Sequence, residues 1–393
     1  MGARRFGLYQ NGLLPGGGRA VSKSSKLVQG VKRGVRGLLR GMGYDIHRTS
    51  SDTRPAVDAA TARAAQGLES GPDDRYGKAS HDTARALPPG AQAILRCTHP
   101  RLQELRTAYA AVDLPMAQRT MWHGGYLDGE LDLTGFRGDN AFLWQFRNLG
   151  AEARLKYYFY LRDLASRDQR RLIETLGEDG AFGCWIFEYP GWPPVSRDLL
   201  DSVNELYFLQ RHLGFLERAG WRVLDVGAGY GRLAHRALCA VPALEQYVCT
   251  DAVPESTFLC DYYLQFRGVR ERADVVPLHQ LERLAGRRYD LAVNIHSFPE
   301  MSHAAIDGWL ARIAALGVPW LLVIPDGEHF LTREAELDAS GEHVRRPFDA
   351  LFGVNGYELA VNEPVFADVT IREFMCVTDR FFLFRRRGRL ARA

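Results

Sequence analysis

The chain has 393 residues, a formal net charge of +3, 46% hydrophobic residues and 25% charged ones. These values exclude a collagen-like, wholly disordered or disulfide-scaffold protein and predict a folded chain of two or three units. The six cysteines are scattered with no C-x-x-C pair and no zinc spacing, and no stretch reaches the roughly 20 apolar residues of a membrane span, so reduced thiols and a cytoplasmic location are expected.

In chain order, the first fifty residues carry ten Lys and Arg against the single acid Asp45. Leu27, Val31, Val35, Leu38 and Met42 recur at helical spacing, which makes residues 22–43 a candidate for weak contact with an anionic membrane at the inner face. Gly30, Gly34, Gly37 and Gly41 each cost a helix about 1 kcal/mol, so a solvated arm is the stronger reading. Residues 1–90 are therefore expected to be a flexible basic arm and an Ala/Ser/Gly/Pro-rich linker. Residues 91–195 predict a mainly helical cap unit packed beside the next one, with a helical pattern over 152–176 and a Pro/Gly loop over 182–194. Ser196 reads as the N-cap of a helix buried through Leu199, Leu200, Val203, Leu206 and Leu213.

From residue 196 to 393 the pattern changes to short apolar strands alternating with helices: 222–226, 247–250, 275–278, 291–295 and 320–324. This predicts an α/β, Rossmann-like doubly wound sheet. Runs 365–371 and 374–384 lack a clear helix between them and are expected to close the sheet as an antiparallel pair.

The strongest motif is Val223-Leu-Asp-Val-Gly-Ala-Gly-Tyr-Gly-Arg-Leu-Ala234, a buried strand running into a glycine turn and a helix. Gly227, Gly229 and Gly231 let a ligand approach the backbone, and the helix that follows presents free N–H groups. Asp251, at the end of the next strand, stands where the two hydroxyls of a ribose would be held. Arg232 occupies the place of the last glycine in G-x-G-x-x-G, which disfavours a nicotinamide dinucleotide. Asp225, two residues before the first glycine, suits a cationic amino-acid ligand.

These residues resemble the class I S-adenosylmethionine-dependent methyltransferases: Leu224–Gly231 matches their first motif and Asp251 the acid of their second. Val195–Glu205 and Asn294-Ile-His-Ser-Phe-Pro-Glu-Met301 are similar, more narrowly, to the sugar O-methyltransferases of bacterial polysaccharide and natural-product pathways, a likeness that reaches back to Arg137–Asn140. The resemblance implies S-adenosylmethionine held by Asp225, Gly227, Gly229, Tyr230, Gly231, Asp251, Asn294 and Arg197, and a sugar or glycan acceptor. The N/D-P-P-Y motif of DNA amino-methylating enzymes is absent, so DNA is not an expected partner. Methylation of another small molecule or of RNA, and a non-catalytic cofactor-binding scaffold, remain the alternatives.

Proton removal from a hydroxyl requires a base, and His296 is the first candidate because a neutral imidazole accepts a proton near pH 7; Glu300 is the second. Asp326, Glu328 and His329 form a polar loop, and no metal site is assigned to them. Arg137, Asp139, Asn140 and Trp144 combine planar hydrogen-bonding groups with an aromatic face, as sugar recognition requires. Trp185, Glu188, Tyr189 and Trp192 are expected to form a lid or a packed hinge.

Overall fold

The computed structural model describes residues 78–80, 87–122, 127, 131–138, 142 and 151–388. The basic segment 22–43 and most of the predicted linker lie outside the described residues, as do Asp139, Asn140 and Trp144. Part of the linker is a strand: β1 (Lys78–Ser80) pairs antiparallel with β2 (Ile186–Glu188). No described helix is long and apolar enough to cross a membrane.

The seven-stranded sheet comprises β3 (Arg222–Val226), β4 (Gln246–Asp251), β5 (Ala273–Pro277), β6 (Leu291–Ile295), β7 (Trp320–Ile324), β8 (Tyr357–Pro364) and β9 (Arg380–Arg386). Its order is β5-β4-β3-β6-β7-β9-β8. The first five strands in that order are parallel, and β9 pairs antiparallel with both β7 and β8. This is an α/β, Rossmann-like sheet closed at one edge by an antiparallel pair, the fold class that the sequence implied. Strand order reverses between β3 and β6, the place where an open α/β sheet leaves a crevice at its carboxyl edge.

Alternation along the strands feeds two cores. Val223, Tyr247, Val293 and Leu322 pack with α3 (Ala151–Ala165), α5 (Arg197–Leu213) and α6 (Arg232–Ala240) on one face. Leu224, Val248, Ala292 and Leu321 pack on the other with α2 (Pro100–Ala110), α8 (His303–Ala315) and α9 (Asp349–Val354). Both faces are covered, which is why these strands read as continuous apolar runs. Residues of the segment 91–195 contribute to both cores.

Three local expectations are corrected. The helical pattern over 152–176 is broken into α3 and α4 (Leu172–Leu176), because the Asp168 carboxylate accepts the Leu172 and Ile173 N–H groups at 2.7 and 2.9 Å and starts a new helix. The run 365–371 is not a strand. Asp368 accepts the Thr370 and Ile371 N–H groups at 2.8 and 3.0 Å and caps α10 (Val369–Met375), overriding the β-branched composition. The partner of the last strand is instead β8, at the edge of the sheet. Ser196 does cap α5, its Oγ accepting the Leu199 N–H at 3.1 Å; Leu199, Leu200, Val203 and Leu206 are buried and Leu213 is half-buried.

The segment preceding the sheet is tied to its carboxyl edge. Met116 fits against α8 because Gly308 has no side chain: a Cβ there would lie 2.5 Å from the Met116 sulfur. From α2, Arg106 pairs with Glu255 at 2.7 Å, and the Tyr109 hydroxyl donates to the Asp251 carbonyl at 3.2 Å while accepting the Leu278 N–H at 2.9 Å. The chain around residues 116–122 is thereby seated over the ends of β3, β4 and β6.

Candidate active site

A cleft of about 940 Å³, counted to its open mouth, lies at the carboxyl ends of β4, β3 and β6. Its floor is the glycine turn Gly227–Tyr230; Asp251, Val253 and Ser256 form one end, and His296, Ser297 and Glu300 the other. Residues 116–120, Trp122 and Phe142 cover it. The turn depends on glycine at two points. Gly227 (φ 76°) would place a Cβ 2.0 Å from Ser297 Oγ, and Gly229 (φ 57°) would place one 3.0 Å from the Phe142 ring. Gly231 (φ 83°) is the N-cap of α6, but it packs toward Cys260 and Leu264 and does not line the cleft.

Two carboxyls line the end of the cleft expected to take the cofactor. Asp225 is 4% exposed and accepts the Tyr247 hydroxyl at 2.9 Å; burial pushes it up to about 7 although that hydrogen bond pulls the other way. Asp251 accepts the Gly229 N–H at 3.0 Å and the Val253 N–H at 2.9 Å, and burial likewise pushes it up to about 7 against those bonds. Asp251 therefore shapes the glycine turn as well as lining the cleft. Beside Asp225, Arg232 is committed to Glu205 through two contacts of 2.7 and 2.9 Å.

The candidate bases meet at the opposite end. Glu300 accepts the Trp122 indole N–H at 2.7 Å, and burial raises it to about 7 despite that bond. His296 ends β6 in the left-handed region (φ 62°), rare for a residue with a side chain. Its backbone N–H bonds the Ile324 carbonyl at 2.7 Å, and its Nε2 lies 3.3 Å from Asp379 Oδ2. Burial opposes protonation of His296, but the hydrogen bond and charge of Asp379, with Asp326 adding to them, raise it above the ordinary histidine value. Asp379 is correspondingly lowered: burial opposes its ionisation, and His296 overcomes that. The Gly327 N–H fixes the far oxygen of Asp379 at 2.7 Å.

Other sequence candidates lie elsewhere. Asn294 is wholly buried and does not line the cleft; its amide donates to the Val226 carbonyl at 2.7 Å and to Ser297 Oγ at 2.5 Å and accepts the Phe298 N–H at 3.1 Å. It clamps β6 to β3 and so holds the floor. Arg197 pairs with Asp201 at 3.0 Å on the far side of His296, outside this cleft. Tyr230 contributes to the cleft from the turn, but its hydroxyl is buried against Asp198. That contact joins a buried network in which Arg137 reaches Glu178 at 2.8 Å and Asp198 at 3.1 Å, and Arg236 reaches the same two at 3.1 and 3.0 Å.

Arg137 is thus part of the interior, not of an acceptor surface. Trp185 donates to the Gly138 carbonyl at 3.0 Å and Tyr189 to the Arg154 carbonyl at 2.5 Å, so both are packed in the interior, and neither they nor Glu188 and Trp192 border the cleft. Asp326, Glu328 and His329 are exposed; among the described residues no three His, Cys, Asp or Glu side chains gather in metal-binding geometry. The sequence reading missed Asp379, Trp122 and Tyr247 as the partners of His296, Glu300 and Asp225.

No protein-family model and no curated protein matches the chain. Solved structures do. A [4+2]-cyclase, SpnF, aligns over 49% of this chain and 83% of its own at 15% identity and a TM-score of 0.36. The 1,6-didemethyltoxoflavin-N1-methyltransferase of Burkholderia thailandensis, with bound S-adenosylhomocysteine, aligns over 48% and 79% at 20% identity and a TM-score of 0.35. An S-adenosylmethionine-dependent methyltransferase of Clostridium acetobutylicum aligns over 48% and 91% at 10% identity and a TM-score of 0.34. Likeness at this level carries no argument about the reaction, which is left to the cleft itself.

Proposed function

We propose that the protein is an S-adenosylmethionine-dependent O-methyltransferase whose acceptor is a sugar hydroxyl, in a glycan or on a nucleotide- or lipid-linked or natural-product sugar. The observation that carries this reading is the cleft at the sheet's switch point, with a glycine turn and two acids at one end and an Asp-paired histidine at the other. The donor set fits the cofactor: Gly227 and Gly229 keep the floor free of side chains, Asp251 stands where ribose hydroxyls would be held, and Asp225 faces the cleft with a carboxyl suited to a cationic amino acid. Buried carboxyls raised to about 7 gain when a cation enters beside them, which favours a positively charged ligand over a dinucleotide.

When bound, S-adenosylmethionine supplies a methyl group on a positively charged sulfur, which keeps the bonding electron pair as the methyl leaves. His296 takes the proton of the acceptor hydroxyl as the new O–C bond forms, and Asp379 holds the imidazole and stabilises it once charged. Glu300, anchored by Trp122, flanks the reacting end and bonds the acceptor. Much of the rate gain in such a transfer is orientation, which a rigid β6 end and a clamped floor supply.

Calorimetric titration with S-adenosylmethionine and its demethylated product, beside a nicotinamide dinucleotide, tests the cofactor. Micromolar binding of the sulfur pair alone, weakened about tenfold or more in Asp251→Ala, is expected. Equal affinity in the variant, or preference for the dinucleotide, would overturn the assignment. Methyl transfer to sugar acceptors, lost in His296→Ala while cofactor binding survives, tests the rest.

A further inference from the structure

The two ends of the main cleft carry opposite charge. Asp225 and Asp251 line the cofactor end, whereas arginines stand at the rim beside Glu300. Arg119 lines the cleft next to Thr120, and Arg333 belongs to the excursion between β7 and α9.

A short ladder holds the two arginines there. Arg119 bridges Met301 antiparallel, and the Thr120 hydroxyl donates to the Glu300 carbonyl at 2.6 Å. The Met301 carbonyl accepts the Arg333 N–H at 2.9 Å, and the Glu334 carboxylate accepts the His303 N–H at 3.0 Å and the Thr332 hydroxyl at 2.7 Å. Segments 119–120, 300–303 and 332–334 therefore lie side by side, with Met301, itself a lining residue, in the middle. Two strand spacings of about 4.8 Å set the Cα atoms of Arg119 and Arg333 roughly 10 Å apart, so two extended side chains can converge on one ligand.

Neither guanidinium is spent on the protein. Among the described residues no hydrogen bond or ion pair engages the side chain of Arg119, which is exposed, or of Arg333, which is half-buried. Arg346 of the same excursion, by contrast, pairs with Glu336 at 3.1 Å. The nearby acids are accounted for: Glu300 takes the Trp122 N–H at 2.7 Å, Asp379 faces His296 at 3.3 Å, and Asp326 is exposed and does not line the cleft. Burial acts most strongly on the Glu300 carboxyl, and of the charges around it Asp326 raises it while Arg333 lowers it, so the Arg333 charge is felt at that end of the cleft. Each arginine keeps five donors in a planar fork that matches oxygen anions. Two such forks offer more donors than one carboxylate can accept, and together they match the several oxygens of a diphosphate.

We infer that Arg119 and Arg333 form an anion-binding rim for the diphosphate of a sugar-diphosphate acceptor, whose ring lies inside the main cleft between that rim and His296. The ring is then on the same side of His296 as the cofactor, so the hydroxyl, the imidazole and the methyl donor share one space. This rests on the main cleft being the methyl-transfer site, and it narrows the acceptor to a sugar carried on a diphosphate.

The test is calorimetry on the full chain saturated with S-adenosylhomocysteine. Inorganic pyrophosphate, uridine diphosphate and a short-chain isoprenyl diphosphate are titrated at low and at high salt into the parent protein, Arg119→Gln, Arg333→Gln and the double variant. Pyrophosphate is expected to bind, about fivefold more weakly in each single variant, more than tenfold more weakly in the double variant, and more weakly at high salt, with S-adenosylhomocysteine affinity within twofold throughout. Tighter binding of uridine diphosphate than of the isoprenyl diphosphate assigns a nucleotide carrier, and the reverse order a lipid carrier. Absence of pyrophosphate binding while S-adenosylhomocysteine still binds, or an affinity unchanged in the double variant, would overturn the rim. Methyl transfer to neutral methyl hexopyranosides that is undiminished in the double variant would overturn it too, and would leave the reading of the cleft intact. Loss of S-adenosylhomocysteine binding in the parent protein would instead overturn that reading.

Discussion

Replacing Asp379 by Asn keeps shape and volume but removes the charge that holds His296 protonated. A hydrogen bond to a charged group contributes roughly 1.5–3 kcal/mol. At 3.3 Å, with the imidazole 26% and the carboxylate 14% exposed, the low end applies, and about 1.5 kcal/mol corresponds to about tenfold in rate. The sign follows from the direction of the shift. His296 is raised, so in the parent protein the free base appears only above the ordinary histidine value, and the acidic limb of the pH–rate profile lies above about 6.5. In D379N that limb moves to lower pH while the alkaline plateau falls about tenfold, so the loss is smaller at pH 6 than at pH 8.

The pair also stabilises the fold. The raised histidine adds stability below about 6.5 that is lost as pH rises through its folded value, and the lowered aspartate adds stability above about 3.9 that is lost as pH falls. D379N should therefore lose most stability between those limits. NMR titration of the His296 ring reads the shift without any substrate. A midpoint unchanged in D379N, or a parent midpoint below 6.5, refutes the reasoning.

Three further outcomes are expected. Asp225 is raised from 3.8 to about 7, so folding favours its protonated form: stability is greatest below the unfolded value and falls as pH rises toward 7, by about 4 kcal/mol at 1.36 kcal/mol per pH unit. Urea midpoints at pH 5 and 8 should show this slope in the parent and a flatter one in Asp225→Asn, and equal slopes would contradict the burial argument. Gly227→Ala sets a Cβ 2.0 Å from Ser297 Oγ at a positive φ, so a loss of about 2–4 kcal/mol is expected by denaturant unfolding, with cofactor binding weakened in whatever remains folded. Arg137→Met leaves Glu178 and Asp198 short of one cation in the interior and should cost about 3–5 kcal/mol; a change below 1 kcal/mol would mean that the network rearranges around the missing charge.

What could be read from the residues follows how local each determinant is. Strand β3, its glycine turn and Asp251 are legible because backbone conformation and ligand approach impose Gly at fixed spacing within one βαβ unit. His296 is legible because it ends a buried strand. Its partner is not: Asp379 immediately precedes the last strand, and no spacing connects the two until β9 inserts beside β7. Arg137 carries the same lesson in reverse, since a planar cation near aromatic residues reads as a ligand contact, yet two acids brought from the 178–198 stretch bury it completely. Asn294 shows why a motif match does not fix a role: the side chain two residues before His296 spends its donors and one acceptor on the floor of the cleft, where it holds Val226 and Ser297 in place. Residues whose partners are near in sequence thus declare their place early, whereas charge balance, and with it the protonation of His296, is decided by contacts that exist only once the sheet has closed.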